Sequence, residues 1–92
     1  MSEDRHHHDA LMETARSELE RAHAAAVAMS AAEIRRGLQL ALDALREAAS
    51  LPGGLPAPDV AGHVERALSE LDSGELADME RQLEQARGAL KG

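Results

Sequence analysis

Residues 9–50 read DALMETARSELERAHAAAVAMSAAEIRRGLQLALDALREAAS, and they set the fold class of this chain. The segment contains no proline and no run of β-branched or aromatic residues, and its single glycine is Gly37. Alanine ranks first in intrinsic helix propensity, and leucine, arginine, glutamate and glutamine follow closely. Because these residue types make up most of the segment, the sequence predicts helix throughout it.

Two apolar stripes run along this segment in steps of three and four residues, as is typical of amphipathic helices. The first stripe consists of Leu11, Ala15, Leu19, Ala22, Ala26 and Met29. The second consists of Ile34, Leu38, Ala41, Leu42, Leu45 and Ala49. At about 100° per residue, the second stripe lies roughly 120° around the helix from the first. The two stripes therefore cannot face one partner along a single straight helix.

Two interpretations account for this shift. Ser30 followed by Glu33 has the spacing of a capping box, which would start a new helix after Met29. However, no glycine or proline stands between Ala24 and Arg36, so nothing local forces a break. In the second interpretation, one long helix changes its partner face midway. Of the two, we favour the continuous helix.

A linker divides the chain after this segment. Residues 51–58, LPGGLPAP, hold all three prolines of the protein. Proline cannot continue a helix and restricts the residue before it. We therefore expect one helical half at 9–50 and another at 59–91, within a single domain spanning 9–92. Residues 1–8 are polar and without periodicity, which predicts a flexible tail.

The second half repeats the plan of the first. One stripe consists of Val60, Val64, Ala67, Leu68 and Leu71, and the next consists of Leu76, Met79, Leu83, Ala86 and Leu90. Between them, the turn residues Asp72-Ser73-Gly74-Glu75 predict a break, with helices at 59–72 and 74–91. The sequence thus predicts an all-α fold, either an antiparallel helical hairpin or a four-helix bundle packed through Leu/Ala seams.

The helix–shift–helix pattern, clearest from Ala67 to Ala86, resembles the helical hairpins of tetratricopeptide-type repeats. The chain lacks the aromatic positions of that family. Two such units are also fewer than the about three that a repeat solenoid needs. The resemblance therefore implies helical hairpins and does not assign the chain to the family.

The apolar stripes supply the candidate core and interface residues. The predicted seam consists of Leu11, Leu19, Met29, Ile34, Leu38, Leu45, Val64, Leu68, Leu76 and Leu83. Met12, Met29 and Met79 fall on the stripes, which favours a core-filling role. Alanine-rich seams allow the helix axes to approach closely. Because the chain has few large apolar side chains, we expect it to self-associate, most simply as a two-fold dimer.

Composition excludes several classes of function. The 92 residues carry a formal charge of −7, and the only basic doublet is Arg35-Arg36, which argues against nucleic-acid binding. The longest apolar run, Ala24 to Met29, is far shorter than the about 18 residues of a membrane span. The N-terminal residues do not have the pattern of a secretory signal, so the expected location is cytoplasmic.

Few residues could carry chemistry. The chain has no cysteine and no Phe, Tyr or Trp. Its carboxylates lie three or four residues from arginines, which is typical of a solvated helix surface. The alternative to a structural role is metal binding by His6, His7 and His8 together with His23, because imidazole is a common ligand for zinc and nickel. We expect no cofactor and no catalysis. The sequence predicts a small acidic protein–protein interaction module with an unknown protein partner.

Overall fold

The computed structural model describes residues 2–51 and 58–91, and these residues form four helices and no strand. Helix α1 spans Ser2–Val27, α2 spans Ala31–Ser50, α3 spans Pro58–Asp72 and α4 spans Leu76–Lys91. The predicted all-α class is confirmed. Residues 52–57 of the predicted linker lie outside the described residues.

The helices pack as a four-helix bundle. In the described residues α1 contacts α2 and α4, and α3 contacts α2 and α4, whereas the diagonal pairs do not meet. Contacts of Arg16 with Leu90 and of Glu20 with Arg87 show that α1 and α4 are antiparallel. Short turns make α1 and α2, and likewise α3 and α4, antiparallel. Both turns therefore lie at the same end of the bundle.

The core lies along the stripes that the sequence predicts. Six residues of the predicted seam are buried: Leu19, Ile34, Leu38, Leu45, Val64 and Leu83. Leu11 and Leu68 are partly buried and pack against this core. Alanines complete it, among them Ala15, Ala22, Ala41 and Ala67, all fully buried. Helical periodicity is sufficient to find these residues because each helix presents one face to the bundle centre.

Two seam residues are exceptions. Met29 is 82% exposed and Leu76 is 46% exposed, so neither lies in the core of the chain, and the core-filling role predicted for Met29 is wrong. Met29 lies in the turn after α1, where the 100° step per residue no longer applies. Leu76 is the first residue of α4, at the end of the bundle where few side chains cover it. The core-filling role is confirmed for Met79, which is 1% exposed.

The continuous first helix is also a wrong prediction. Helix α1 ends at Val27 and α2 begins at Ala31. Met29 N–H donates to the Ala26 carbonyl at 3.1 Å, and Ser30 N–H donates to the Ala25 carbonyl at 2.9 Å. These two bonds form a Schellman motif, which reverses the chain so that both stripes face one core. Ser30 is the N-cap of α2, but its side chain makes no cap hydrogen bond, so the predicted capping box does not form.

Helix α1 begins at Ser2, whereas the sequence predicted a flexible tail at residues 1–8. Residues 2–8 contain no glycine or proline to stop the helix. His7 Nε2 lies 3.7 Å from Glu47 Oε2 on α2, and His8 is partly buried. In these additional turns of α1, His7 therefore lies close to α2. Helix α3 begins at Pro58, one residue before the predicted start.

Gly37 brings α1 and α2 close together. A Cβ atom at this buried position would lie 2.9 Å from the Glu18 carbonyl oxygen and 3.0 Å from Ala22 Cβ. It would also lie 3.2 Å from the Ala22 nitrogen. Two of these three atoms belong to the α1 backbone and cannot move aside as a flexible side chain would. The close pairing of α1 with α2 therefore requires a residue without a Cβ atom at position 37.

Arg87 joins α4 to α1. Its Nε and Nη2 donate to the two carboxylate oxygens of Glu20 at 2.8 and 3.0 Å, and its Nη1 donates to Glu84 at 2.7 Å. The Arg87 side chain is only 11% exposed. The hydrogen bonds to Glu20 raise the pKa of Arg87 above its ordinary value, against the opposing effect of desolvation. Arg87 thus joins α4 to α1 through two parallel, charge-assisted hydrogen bonds to one carboxylate.

Replacing Gly37 by alanine tests the close contact. We expect Gly37→Ala to lower the free energy of unfolding by about 1–2 kcal/mol, because crowding outweighs the gain of about 1 kcal/mol in helix propensity. Gly88→Ala is the control, since a Cβ there meets nothing within 4 Å. That variant should be more stable by about 0.5–1 kcal/mol. Urea unfolding followed by circular dichroism measures both, and a stabilising Gly37→Ala would contradict the close packing.

Replacing Arg87 tests the contact between α1 and α4. We expect Arg87→Met to destabilise the bundle by about 1–2 kcal/mol, a range kept low because Glu20 is 46% exposed. Arg87→Lys should recover only part of this, since an ammonium cannot donate as a fork. The control, Arg81→Met, removes an exposed pair within α4 and should cost under about 0.5 kcal/mol. Equal losses in both methionine variants would refute the special role of Arg87.

Candidate functional site

The two helical turns have the same geometry and lie side by side. In the second turn, Gly74 N–H donates to the Leu71 carbonyl at 3.2 Å and Glu75 N–H donates to the Glu70 carbonyl at 2.8 Å. Gly74 thus occupies the position that Met29 holds in the first turn. Residues 28–30 and 73–75 form what we call the tip of the bundle.

Met29 is in a conformation that favours glycine. Its φ is 59°, and it is the only non-glycine residue with positive φ in the described part of the chain. Gly74, at φ 78°, takes the equivalent conformation without a Cβ. A side chain in this left-handed region costs roughly 1–2 kcal/mol. Because Met29 is 82% exposed, packing within the chain does not offset that cost.

A groove lies between the two turns. It has a volume of about 110 Å³ and is lined by Ala26, Met29, Ala31, Ile34, Leu76, Met79 and Glu80. The buried Ile34 and Met79 form its floor, and the exposed Met29 and Leu76 stand at its edge. An apolar cavity of about 150 Å³ can hold a benzene molecule. The tip groove is therefore large enough for about one aliphatic side chain.

Exposed hydrophobic residues gather at this end of the bundle. In the described residues, the exposed large hydrophobic side chains are Val27, Met29, Leu40 and Leu76; Met29 and Leu76 line the groove, and Val27 is the last residue of α1, directly before the tip. Single exposed apolar residues are normal on a protein surface, whereas a cluster marks an interaction site more often. We call Val27, Met29 and Leu76, together with the groove, the tip surface.

Negative charge also gathers at this end of the bundle. The carboxylate oxygens of Glu70, Glu75 and Asp78 lie within 4.8 Å of one another, and Glu80 separately lines the groove. We call Glu70, Glu75 and Asp78 the acidic rim. Asp78 is 3.5 Å from Arg81, whereas Glu70, Glu75 and Glu80 have no ion pair among the residues that the structure describes. Acidic groups often gather on exposed surfaces, so we treat the rim as a source of charge and not as a metal site.

The structure does not bring the four predicted metal-binding histidines together. His6 and His7 are exposed and His8 is partly buried. His23 is fifteen residues after His8 on α1, a separation of about 22 Å along the helix. In the described ranges, the acidic rim provides the only group of three potential ligand residues that lie close together. Metal binding by His6–His8 thus could not include His23 of the same chain.

His63 has a structural contact. Its Nδ1 donates to Gln82 Oε1 at 2.6 Å, which joins α3 to α4 in a partly buried position. A ring nitrogen that holds an amide of the neighbouring helix supports packing rather than proton transfer.

Sequence reasoning selected four residues of the tip groove but assigned them to the core. The structure brings Met29, Ile34, Leu76 and Met79 together, and only Ile34 and Met79 are buried. No pattern in the sequence marks Met29 as left-handed, because glycine is the usual signal for that conformation. Only the structure shows that Met29 and Gly74 occupy equivalent positions in the two turns.

Comparison with models of protein families, with curated proteins and with solved structures found no match. Within residues 2–51 and 58–91, none of the helices combines the length and the apolarity that a membrane crossing requires.

Removing the side chain at position 29 and adding one at position 74 tests the strain at Met29. We expect Met29→Gly to stabilise the bundle by about 0.5–1 kcal/mol, because relief of the left-handed strain exceeds the added entropy of the unfolded chain. Gly74→Ala should destabilise it by about 1 kcal/mol for the opposite reason. Urea unfolding of both variants is the measurement. A Met29→Gly protein less stable than the wild type would show that the methionine contributes to the fold.

Proposed function

We propose that this protein is a non-catalytic helical interaction module that binds other proteins through the tip surface. One observation carries the proposal. Met29 has the same left-handed backbone conformation as Gly74, but only Met29 carries a side chain that makes this conformation strained, and that side chain is exposed. Strained residues that the fold does not need cluster at binding and catalytic sites. A methionine retained at such a cost fits a surface that binds a partner.

The chemistry of the tip surface supports a protein partner. A short apolar groove bordered by polar residues is suited to a side chain from an amphipathic helix. Methionine has three rotatable bonds and a polarisable sulfur, so Met29 and Met79 can adapt to different anchors. The absence of aromatic residues leaves this adaptable aliphatic contact as the main source of affinity.

The arrangement of polar groups supports a non-catalytic role. Arginines pair with carboxylates on the bundle surface, as in Arg16 with Glu13 and Arg46 with Glu65. Glu80 is the only ionisable residue among those that line the tip groove. A lone carboxylate beside an apolar groove has no second polar group there to orient or activate it.

Self-association is part of the proposal. The simplest assembly is a homodimer with two-fold symmetry, in which the tip surfaces of two copies cover each other. The two hairpins of one chain already bury most of each other's stripes, and three of the four exposed large hydrophobic side chains in the described residues belong to the tip surface, which leaves it for a second copy. From composition alone we also propose a cytoplasmic location and no role in nucleic-acid binding.

Sedimentation velocity over a range of protein concentrations tests the proposal. We expect the wild-type protein to associate as its concentration rises, and Met29→Gly and Leu76→Asp to shift the equilibrium towards monomer by about tenfold or more. The reason is that each variant removes an apolar side chain that would be buried on association. Association that is unchanged in both variants would exclude the tip surface as its site.

Two controls make the result specific. Leu40→Asp alters an exposed leucine on α2 away from the tip and should leave association unchanged. In ¹³C-methyl methionine spectra, the signals of Met29 and Met79 should move on association, whereas that of Met12 on α1 should not. Because Met29→Gly is expected to be more stable than the wild type, its loss of association could not be attributed to unfolding.

A further inference from the structure

We propose that Met29 is a site of reversible oxidation to methionine sulfoxide by hydrogen peroxide, and that this oxidation weakens self-association through the tip surface. The inference rests on the proposed function, to which it adds a chemical means of regulation. Three features of the described residues support it: the exposure of Met29, its place outside the core and the chemistry of the groove beside it.

The methionines are the side chains of this protein that a peroxide oxidises most readily. The sequence has no cysteine, tryptophan or tyrosine, which leaves the thioether sulfur as the favoured target. Among the described methionines, Met29 is exposed, Met12 is partly buried and Met79 is buried. A buried sulfur reacts only when the structure opens around it. Exposure therefore makes Met29 the first of the three to react.

The oxidation needs no group of the protein other than the thioether. The Met29 sulfur attacks one oxygen of hydrogen peroxide, the O–O bond breaks and a sulfur–oxygen bond forms, while the second oxygen leaves with both hydrogens as water. The sulfur is oxidised by two electrons and the peroxide is reduced by two. Methionine sulfoxide reductases reverse the change. In that step the sulfoxide oxygen leaves as water and two thiols become a disulfide.

The fold does not depend on the reduced side chain at position 29. The turn is held by backbone hydrogen bonds from Met29 N–H to the Ala26 carbonyl and from Ser30 N–H to the Ala25 carbonyl. The Met29 side chain takes no part in either bond and lies outside the core. Oxidation there leaves the bundle folded, whereas a sulfoxide at the buried Met79 would place a polar group in the core.

The groove beside Met29 cannot satisfy a sulfoxide oxygen. In the described part of the chain, its lining side chains are those of alanine, methionine, isoleucine, leucine and Glu80. None of these donates a hydrogen bond when Glu80 is ionised. The backbone N–H groups of Met29 and Ser30 already donate to α1 carbonyls. A sulfoxide oxygen that is covered at this edge would therefore remain an unpaired acceptor, which disfavours its burial.

A two-fold assembly doubles this effect. The second copy brings the same apolar side chains to the interface, namely Val27, Met29 and Leu76. Symmetry would place two sulfoxide groups in one interface. Conversion of a flexible apolar side chain into a polar one is disruptive where methionines provide the contact. The reduced protein therefore associates, and the oxidised protein remains monomeric.

Limited oxidation followed by tryptic digestion and mass spectrometry tests the site. The arginines place Met12, Met29 and Met79 on separate tryptic peptides, which span residues 6–16, 22–35 and 67–81. At low protein concentration, we expect the Met29 peptide to gain one oxygen atom at least about tenfold faster than the Met79 peptide, and faster than the Met12 peptide. Circular dichroism should show that the singly oxidised protein keeps its helices. Oxidation of Met12 as fast as Met29, or loss of helix with the first oxygen, would overturn the inference.

Sedimentation velocity of the reduced and oxidised proteins tests the consequence. We expect oxidation to shift wild-type association towards monomer by about tenfold, and a methionine sulfoxide reductase with a thiol reductant to restore it. Met29→Leu keeps the apolar volume without the sulfur, so it should associate and be insensitive to peroxide. The matched control, Met12→Leu, should remain as sensitive as the wild type. Equal sensitivity of Met29→Leu and the wild type would refute the role of Met29.

The outcomes separate this inference from the proposed function. If Met29→Gly weakens self-association but oxidation of Met29 does not, the tip surface is an interaction site and the oxidation inference is wrong. If neither Met29→Gly nor Leu76→Asp changes self-association, the proposed function fails and the inference falls with it. If both the glycine variant and the oxidised wild type become monomeric while Met29→Leu does not respond to peroxide, both are supported.

Discussion

The contact between α1 and α2 at Gly37 is the constraint on which the rest of the structure depends. With no aromatic residues and few large aliphatic ones, the chain fills its core by bringing helices close together along small side chains. At Gly37 the approach is so close that a single Cβ would touch the backbone of α1. This contact fixes how the first hairpin pairs. The contacts of α1 with α4 then bring the two hairpins together with the turn after α1 beside the turn after α3, and the groove lies between them.

The two turns share one backbone conformation but differ in the residue that adopts it. Both hairpins end their first helix in a Schellman motif, with Met29 and Gly74 at equivalent positions. Gly74 meets the conformational requirement without strain, whereas Met29 meets it with a side chain that the fold leaves in solvent. A stability cost that the fold does not recover is the kind of cost that binding sites retain. In the proposed function, the first turn gives up stability for an exposed, adaptable anchor at the tip.

The proposed function gives the apolar part of this surface its role. In that proposal, Val27, Met29 and Leu76 provide area that is removed from water on binding, which is the main source of affinity. Several carboxylates elsewhere on the bundle pair with arginines, most completely where Arg87 bridges α1 and α4. Those pairs hold helices of the same chain together, whereas the exposed apolar side chains at the tip have no such partner within the described residues.

The sequence by itself determined the helical class, most of the apolar stripes and the second turn. Each of these follows from local propensity or from a period of 3.6 residues, both of which depend on near neighbours alone. Tertiary structure alone decided the break after Val27, the helix at residues 2–8 and the exposure of Met29 and Leu76. No glycine marks the first turn, so its left-handed residue forms only because reversing the chain there lets both stripes of the first half enter one core. The groove followed from that reversal, since it joins residues from two hairpins that are far apart in sequence and share no local signal.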